Sequence, residues 1–335
     1  MKKYLVIFCI VCCCAAIVSG CHKANNLPSQ PDPAGDNAQQ QINAIYHWKT
    51  TFAPKCEEMN FMKQHNIKRL YLRMFDVAAE RNLVTGTLDI VPIATTQFED
   101  CDRWGLEGVE VIPTTYITIE ALREIKGKEK EYAELIVERL RAMATHNKLG
   151  KICEMQFDCD WTTSTQQSYF RLCEASRDLL RADSIALSST IRLHQLSQNA
   201  PPVDRGVLML YNTGNLKSIE TRNSILDIKD VEPYLKKKIE YPIPLDYVYP
   251  TFGWGVKFYQ WGDFKFIVSN PETETTEGGE TMRIERPTVE EILAVKKLIE
   301  NKLGKPSRSN IIYHLDKDQL KHYSQDEINK IFSNN

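Results

Sequence analysis

The sequence predicts an α/β protein folded as a (β/α)8 TIM barrel in a single domain. Eight strand-like stretches recur along the chain, and nearly all of them are followed by a helical pattern. Most of these stretches begin twenty to forty-five residues apart, as expected for strands that alternate with helices. A doubly wound nucleotide-binding sheet would need a glycine-rich loop after its first strand. Residues 50–54, which follow the first predicted strand, contain no glycine, so the barrel is the better fit.

Residues 1–20 are predicted to be a lipoprotein signal peptide. Two lysines precede an apolar run over residues 4–18, which is short for a membrane span and typical of a signal sequence. The run ends in Val-Ser-Gly-Cys, which resembles a bacterial lipobox with Cys21 as the lipidated residue. The alternative is an ordinary signal peptide with a chance cysteine. Lipid on Cys21 implies a membrane-anchored lipoprotein, and because histidine follows it, we expect the outer membrane or cell surface.

Residues 21–41 predict a disordered tether, since they are polar and rich in Pro, Asn and Gln. Residues 42–335 then form the barrel domain. The formal net charge is −2 and no basic stripe occurs, so nucleic acid is not an expected partner. Of ten cysteines, four leave with the signal peptide and one is the lipid site, so five remain, without a CxxC pair. A disulfide framework or zinc site is therefore not favoured; no cofactor or metal is expected, and we expect a monomer.

The first two predicted strands lie close to the start of the barrel domain. Residues 42–49 form the first strand, and a helical pattern over residues 55–65 follows it. Residues 67–77 form the second strand, which ends near Asp76. Period-two alternation sets one group of its side chains toward the barrel interior, namely Arg69, Tyr71, Arg73 and Phe75. An arginine inside a barrel needs a carboxylate partner, and the acids of the fourth strand are candidates.

The chain between the second and fourth strands is less regular. Residues 89–96 are strand-like, but Pro92 argues against a central strand because proline cannot donate to a sheet ladder. Residues 109–117 form the third predicted strand. A charged helical pattern over residues 120–147 follows, with Gly150 as its stop.

The fourth strand, KICEMQFDCDWT at residues 151–162, is the most informative stretch. Its apolar side can pack under helices and comprises Cys153, Met155, Phe157 and Cys159. Its other side is polar and includes Glu154, Gln156, Asp158 and Asp160. Acids are costly to bury, so a strand that ends in them predicts a site at the carboxyl end of the sheet. The alternative is an exposed strand end in which Asp160 helps to begin the next helix.

The second half of the chain supplies the remaining elements. An amphipathic helix is predicted over residues 164–181, with Thr163 or Ser164 as its cap. The later strands are predicted at residues 185–196, 206–213, 245–256 and 311–316. A hairpin over residues 257–269 turns at residues 261–263. Further helices are predicted at residues 231–239, 289–303 and 325–332.

In a barrel, the polar strand ends converge on one face, and the residue types found there suit a sugar. Aromatic rings stack on the apolar face of a pyranose, while acids and amides bind its hydroxyl groups. Hydrolysis needs a proton donor and a second group that meets the developing cation, and we predict Asp160 as the acid with Asp158 as its partner. His314 lies at the eighth strand end. The predicted substrate-binding residues are Trp48, Arg73, Asp76, Arg192, His194, Tyr211, Asn212 and Trp254.

Several of these residues have structural alternatives. Arg73 and Arg192 are equally compatible with ion pairs inside the barrel. His194 also fits a strand-end histidine without a catalytic role. Trp48 can belong to the barrel core, whereas Trp254, which lies between two glycines, is the better platform for a ligand.

Four segments resemble the chitinase-like barrels of glycoside hydrolase family eighteen. QFDCDW is similar to the aspartate ladder that in those enzymes ends in a glutamate acid, and MLYNTG is similar to their Met-Tyr-Asp strand. YPTFGWG is similar to a Pro-Tyr-Gly-Trp segment, and IIYHLD lies at the expected place. Residues 156–180 and 187–196 also resemble a group of uncharacterised bacterial lipoproteins with a glycosidase-like barrel.

The sequence departs from the family pattern at the acid itself. With Asp158 and Asp160 matched to the last two aspartates of the ladder, the glutamate position is Thr162, which cannot donate a proton. With the alignment shifted by two, Asp160 takes the place of the acid and Gln156 that of the first ladder residue. Asn212 replaces the aspartate of the sixth strand. The resemblance implies either a glycan-hydrolysing or glycan-processing enzyme or a non-catalytic glycan-binding lipoprotein with a degenerate site.

Overall fold

The computed structural model describes residues 41–99, 106–269 and 271–333. The predicted signal peptide, the lipid site at Cys21 and nearly all of the tether lie outside the described residues. Within the described ranges, no helix has both the length and the apolar character needed to cross a membrane.

Eight parallel strands form a closed barrel, which confirms the predicted fold class. Each strand pairs with the next one along the chain, and the eighth pairs with the first. The barrel strands are β1 (Ile42–His47), β2 (Ile67–Arg81), β3 (Glu110–Ile117), β4 (Glu154–Asp158), β5 (Ala186–Arg192), β6 (Arg205–Met209), β7 (Leu245–Pro250) and β8 (Ser309–Tyr313).

Helices surround the barrel. The α-helices are α1 (Cys56–Gln64), α2 (Ile119–Ile125), α3 (Glu129–His146), α4 (Gln166–Arg181), α5 (Ile228–Val231), α6 (Val289–Leu303), α7 (Lys317–Leu320) and α8 (Gln325–Phe332). Short 3-10 helices are Leu193–Ser197, Glu232–Leu235 and Pro271–Thr273. The single helix predicted over residues 120–147 is divided into α2 and α3, because Gly127 adopts a φ of 86° that a continuous helix excludes. The predicted bounds of α6 and α8 are confirmed, and each helix begins with a capping box.

Other strands extend the barrel at its carboxyl end. Leu88–Ile93 pairs antiparallel with the far end of β2, so Pro92 lies in an edge strand, where its missing donor is tolerated. Thr51–Phe52 pairs with Gln97–Phe98. After β7, the chain forms an antiparallel sheet of three strands, here called the inserted sheet: Trp254–Phe258, Phe264–Val268 and Thr281–Glu285. The first two of these form a hairpin that turns where predicted but begins at Trp254, because β7 ends at Pro250 and not at residue 256.

The barrel has an inner and an outer layer of buried side chains. A larger apolar layer joins the strands to the helices and includes Met155, Phe157 and Cys159. The predicted alternation of β4 is confirmed, since the hydroxyl of Tyr46 inside the barrel donates to Gln156 at 2.6 Å. The apolar interior comprises Ala44, Tyr46, Tyr71, Ile112, Val207, Met209, Val248 and Ile311.

Two predicted strands differ from the structure in ways that affect the site. The register of β2 shifts between Arg73 and Phe75, so Phe75 joins the outer apolar layer instead of facing inward. The shift is a β-bulge, which reorients the residues that follow it. The fifth strand ends at Arg192 and not at residue 196, because the chain turns there into the 3-10 helix that carries His194.

Candidate functional site

The two predicted acids lie at the carboxyl end of β4 and share one arginine. Arg192, the last residue of β5, donates from Nη2 to Asp158 at 3.2 Å and from Nε to Asp160. The hydroxyl of Thr190, two residues earlier, donates to the same oxygen of Asp158 at 2.6 Å. Neither acid caps α4. The capping part of that alternative is therefore wrong, since the N-cap residue of α4 is Thr165, and Arg192 does form ion pairs inside the barrel.

The two carboxyl groups differ in exposure. Asp158 is buried, whereas 44% of the Asp160 side chain is exposed. Burial raises the pKa of Asp158 above its usual range, and nearby Asp160 and Asp76 raise it further, while Arg192 and Thr190 oppose the shift. Burial also disfavours the charge on Arg192, but the two aspartates outweigh it and raise the pKa of the guanidinium. Asp160 is thus the carboxyl group within reach of a ligand, and Asp158 lies beneath it.

A cavity of about 230 Å³ lies beside Asp160. Asp160, Arg192, His194, Tyr211 and Asn212, all predicted site residues, contribute to its wall. His194 is exposed and lines the cavity from the 3-10 helix after β5. Asn212 is exposed, has a φ of 55° and lies in the loop that follows β6. The remaining lining residues are Leu193, Met209, Thr213 and Tyr234.

Aromatic rings continue from this cavity across the mouth of the barrel. Tyr211 packs against Tyr313 with ring centroids 4.7 Å apart, and the Arg192 guanidinium lies 5.9 Å from the centre of the Tyr211 ring. Phe252 contacts Tyr211 at 5.8 Å and Trp254 at 5.3 Å. Such faces can stack on the apolar side of a sugar ring.

The opposite side of the mouth holds Arg73, Asp76 and Trp48. Arg73 binds Asp76 through two hydrogen bonds of 2.9 and 2.5 Å and donates to the Trp48 carbonyl oxygen at 3.3 Å. Its guanidinium lies 5.5 Å from the centre of the Trp48 ring. The partner of Arg73 is therefore Asp76 of its own strand and not an acid of the fourth strand, because the bulge in β2 turns Asp76 inward. None of these three residues lines the cavity beside Asp160.

The remaining predicted residues lie further from the acids. Trp254 begins the inserted sheet, where its indole donates to buried Glu285 at 2.8 Å. His314 follows inward-facing Tyr313 and contacts the Tyr313 ring at 5.0 Å. Burial lowers the pKa of His314 to about 4, with a smaller opposing contribution from Asp316.

Tyr116 and Tyr313 belong to the site although the sequence analysis did not select them. Tyr116 pairs in register with Asp158 at the end of β3. Burial raises the pKa of Tyr116 above its ordinary range, and the charges of Asp160 and Asp158 add to the effect. Both tyrosines occupy inward positions of their strands, so strict counting of the alternation from the strand centres would have identified them.

Thr162, which takes the glutamate position in the first of the two alignments to the family ladder, does not bind either acid. Its hydroxyl lies 3.0 Å from that of Ser164, and its amide donates to the Thr165 hydroxyl at 3.0 Å. Thr162 therefore belongs to the polar turn that leads into α4. That turn contains no side-chain cap from Thr163 or Ser164, since the N-cap residue is Thr165. Among the described residues, no group of three or more His, Cys, Asp or Glu side chains is placed to hold a metal ion.

Comparison with known proteins identifies the architecture. No protein-family model matches the sequence, and no curated protein matches it. The spore cortex-lytic enzyme SleL of Bacillus cereus has a TM-score of 0.55 at 15% identity, over 88% of this chain and 75% of that one. The GH18 chitinase ChiB of Flavobacterium johnsoniae has a TM-score of 0.53 at 12% identity, over 88% and 94%. The class V chitinase of Nicotiana tobaccum has a TM-score of 0.55 at 9% identity, over 87% and 99%.

At these identities the similarity concerns the fold, and it agrees with the resemblance found in the four sequence segments. The chain therefore has the barrel fold of the chitinase-like glycoside hydrolases.

Proposed function

We propose that the protein processes a glycan by hydrolysis in the cavity beside Asp160. The observation that carries this proposal is the position of Asp160, which is partly exposed at the carboxyl end of a (β/α)8 barrel above the buried Asp158. Barrels of this class hold their active sites at that end. Proteins of similar fold are named chitinases and a spore cortex-lytic enzyme, which supports a glycan as the substrate class.

Asp160 is the proposed general acid and Asp158 its partner. The Asp160 carboxyl group would give its proton to the glycosidic oxygen as the bond from that oxygen to the sugar carbon breaks. The buried Asp158 and the tyrosine rings would face the positive charge that develops on the sugar. A water molecule would then add through its oxygen to the sugar carbon, and one of its protons would return to Asp160. Because the Arg192 guanidinium binds Asp160 without a ligand, the sugar has to draw Arg192 away before Asp160 can act as a donor.

A screen of polysaccharides with the purified protein tests this proposal. We expect Asp160→Asn to abolish release of reducing ends from whichever glycan is cleaved while leaving the unfolding midpoint unchanged, since Asp160 is partly exposed. Asp318→Asn, in exposed helix α7, is the matched control and should keep full activity. Unchanged turnover in Asp160→Asn would exclude Asp160 as the acid.

A non-catalytic glycan-binding protein is the second candidate. The observation that favours it is the acid position of the family ladder, where Thr162 bonds within the turn before α4. Binding on a glycan array without product after long incubation would support this candidate. Clear hydrolysis would remove it.

We further propose that the barrel is displayed at the outer membrane or cell surface. The lipobox-like sequence before Cys21 and the polar stretch over residues 21–41 support this location. Metabolic labelling with a lipid precursor tests it, because Cys21→Ser should lose the label.

A further inference from the structure

Four chain segments at the amino-terminal end of the barrel, where its strands begin, are rich in lysine. Two of them, residues 63–68 and 236–244, lead into β2 and β7. The other two are residues 302–309, which lead into β8, and residues 329–333, at the end of α8. We call these four segments the basic end. Their only acid is Glu240, and their cations are Arg308 and eight lysines, namely Lys63, Lys68, Lys236, Lys237, Lys238, Lys302, Lys305 and Lys330.

Contacts join these segments in pairs. The backbone amide of Ile239 donates to the carbonyl oxygen of Lys302 at 2.9 Å, which holds the segment before β7 against the segment before β8. The Nδ1 atom of His65 lies 2.9 Å from Oδ1 of Asn329, which holds the end of α1 against the end of α8.

The start of β1 lies between the two pairs of segments. The side-chain amide of Gln41 donates to the carbonyl oxygen of Pro306 at 3.0 Å, and that of Asn43 donates to the carbonyl oxygen of His65 at 2.7 Å. The basic end is therefore one continuous surface around the point where the chain enters the barrel. Residues 21–40, which we propose to lead to the lipid anchor, are joined to the barrel at this point.

The lysines of the basic end are available to a partner. Seven of the eight are exposed, and Lys302 is half-buried. Among the described residues, no acid forms an ion pair with any of these lysines. By contrast, Lys257 and Lys265 of the inserted sheet, at the carboxyl end of the barrel, bind Glu274 and Glu280. The basic end therefore has a positive charge that no neighbouring acid neutralises.

This chemistry suits the headgroups of anionic lipids. Clusters of lysine beside a membrane attachment bind such headgroups. No large apolar side chain of the basic end is exposed, whereas a protein interface has an apolar core with few charged residues. The predicted signal peptide favours lipid over nucleic acid, because it directs the chain out of the cytoplasm.

A cavity of about 310 Å³ opens within the basic end. Its lining includes Lys305, Ser307 and Tyr241. The hydroxyl oxygen of Tyr241 is buried and has no hydrogen-bond partner among the described residues. An ammonium group and two hydroxyl groups can all donate to the oxygens of a phosphodiester. The cavity can therefore receive one headgroup while the surrounding lysines face others.

We propose that the basic end binds the phosphate groups of anionic membrane lipids. The inference rests on the proposed lipid anchor, which would bring this end of the barrel to a membrane. Because Asp160 lies at the carboxyl end of the barrel, the cavity beside it would open away from the membrane. The glycan processed there would then lie beyond the lipid surface.

Co-sedimentation with vesicles tests this inference on residues 21–335 with Cys21→Ser, so that no lipid anchor contributes. We expect binding to vesicles of phosphatidylglycerol mixed with phosphatidylcholine and none to vesicles of phosphatidylcholine alone, and we expect raised salt to weaken the binding. Replacing Lys236, Lys237 and Lys238 together by Gln should weaken it about a hundredfold, which corresponds to about 2.7 kcal/mol. Lys305→Gln should weaken it about tenfold through the cavity.

The matched control removes three lysines that lie away from the basic end. Lys126, Lys128 and Lys130 are exposed at the start of α3, and the 18 residues of that helix separate them from the amino-terminal end of the barrel. Their joint replacement by Gln changes the net charge by the same amount. This variant should bind anionic vesicles as the unsubstituted chain does.

Equal binding of the two triple variants would overturn the inference, as would equal binding to the two kinds of vesicle. Tighter binding to double-stranded DNA of random sequence than to anionic vesicles at the same salt concentration would point to another partner and also overturn it. The proposed anchor fails separately. If the wild type took up no lipid label while the Cys21→Ser chain bound anionic vesicles, the anchor would be refuted and lipid binding by the basic end supported.

Discussion

Arg192→Met tests whether one guanidinium holds the candidate site together. The substitution keeps much of the aliphatic volume of the side chain but removes the cation that Asp158 and Asp160 share. Asp158 would then keep the hydroxyl of Thr190 at 2.6 Å, while the charge of Asp160 remains nearby. We therefore expect a folded protein that is measurably less stable at neutral pH.

The size of the effect follows from the exposure of the three side chains. Only 5% of the Asp158 side chain and 19% of the Arg192 side chain are exposed. Removing one partner of a buried ion pair costs about 3 to 5 kcal/mol. Because Asp160 is partly exposed, its ion pair with Arg192 contributes little to stability. Since Arg192 retains some contact with water, we expect Arg192→Met to lower the free energy of unfolding by about 3 kcal/mol. Asp158→Asn removes the buried charge itself and should cost about 1 kcal/mol, the usual size of a lost hydrogen bond.

Urea unfolding of the two single variants and the double variant measures the coupling. The double variant should be more stable than Arg192→Met, because no buried charge is left without a partner. An Arg192→Met protein within about 0.5 kcal/mol of wild type, the usual range for surface substitutions, would refute this account. So would a double variant that is no more stable than Arg192→Met.

The same variants predict a pH dependence. The folded-state pKa of Asp158 is raised above its value of about 3.9 in the unfolded chain. The folded protein therefore binds more protons than the unfolded chain in the window above about pH 4, and the free energy of unfolding falls as pH rises through it. Arg192→Met removes the cation that opposes the raised pKa of Asp158, so the free energy of unfolding should fall further with rising pH in this variant. Asp158→Asn removes the titrating group, so the fall should be smaller.

Two further substitutions test the packing of the barrel. Lys296 is buried and donates to the carbonyl oxygens of Ile331 at 2.6 Å and Ser333 at 2.5 Å, so Lys296→Met should cost about 1 to 3 kcal/mol by leaving these acceptors unpaired. Burial lowers the folded-state pKa of Lys296 to about 8, so the free energy of unfolding of the wild type should rise between pH 8 and about 10.4. Urea unfolding at several pH values should show that Lys296→Met lacks this rise. A methyl group added at Gly253 would lie 2.6 Å from the carbonyl oxygen of Glu285, so thermal unfolding should show that Gly253→Ala is less stable by about 1 to 3 kcal/mol. An unchanged midpoint would show that the inserted sheet can shift to accommodate the methyl group.

Sequence patterns identified the barrel because its order is local. Each strand and helix has its own period, and the alternation of apolar and polar residues in β4 assigned Phe157 and Asp158 to opposite layers before any contact was known. The capping boxes with which α6 and α8 begin in the structure are equally local. These signals depend on neighbours a few residues away, which a single sequence contains in full.

The partners of the charged residues could not be found in this way. The bulge in β2 depends on how that strand pairs with β3, and just beyond it Asp76 accepts a hydrogen bond from Arg73. The end of β5 at Arg192 depends on the following turn, where the backbone amide of Arg192 donates to the Gln195 side chain at 2.8 Å. Both features arise from contacts between elements, which alternation does not encode.

The arrangement around β4 constrains how the site could work. If Thr162 held the catalytic position, the site would have no acid there, because the Thr162 hydroxyl is engaged in the turn before α4. If Asp160 holds the catalytic position, the acid is an aspartate, shorter than glutamate, and it lies two residues before Thr162. Arg192 binds both Asp158 and Asp160, so Asp160 becomes free to donate only when Arg192 moves away from it. Under the proposed mechanism, catalysis would therefore depend on a ligand that competes for Arg192, and a sugar that cannot do so would be bound without being cleaved.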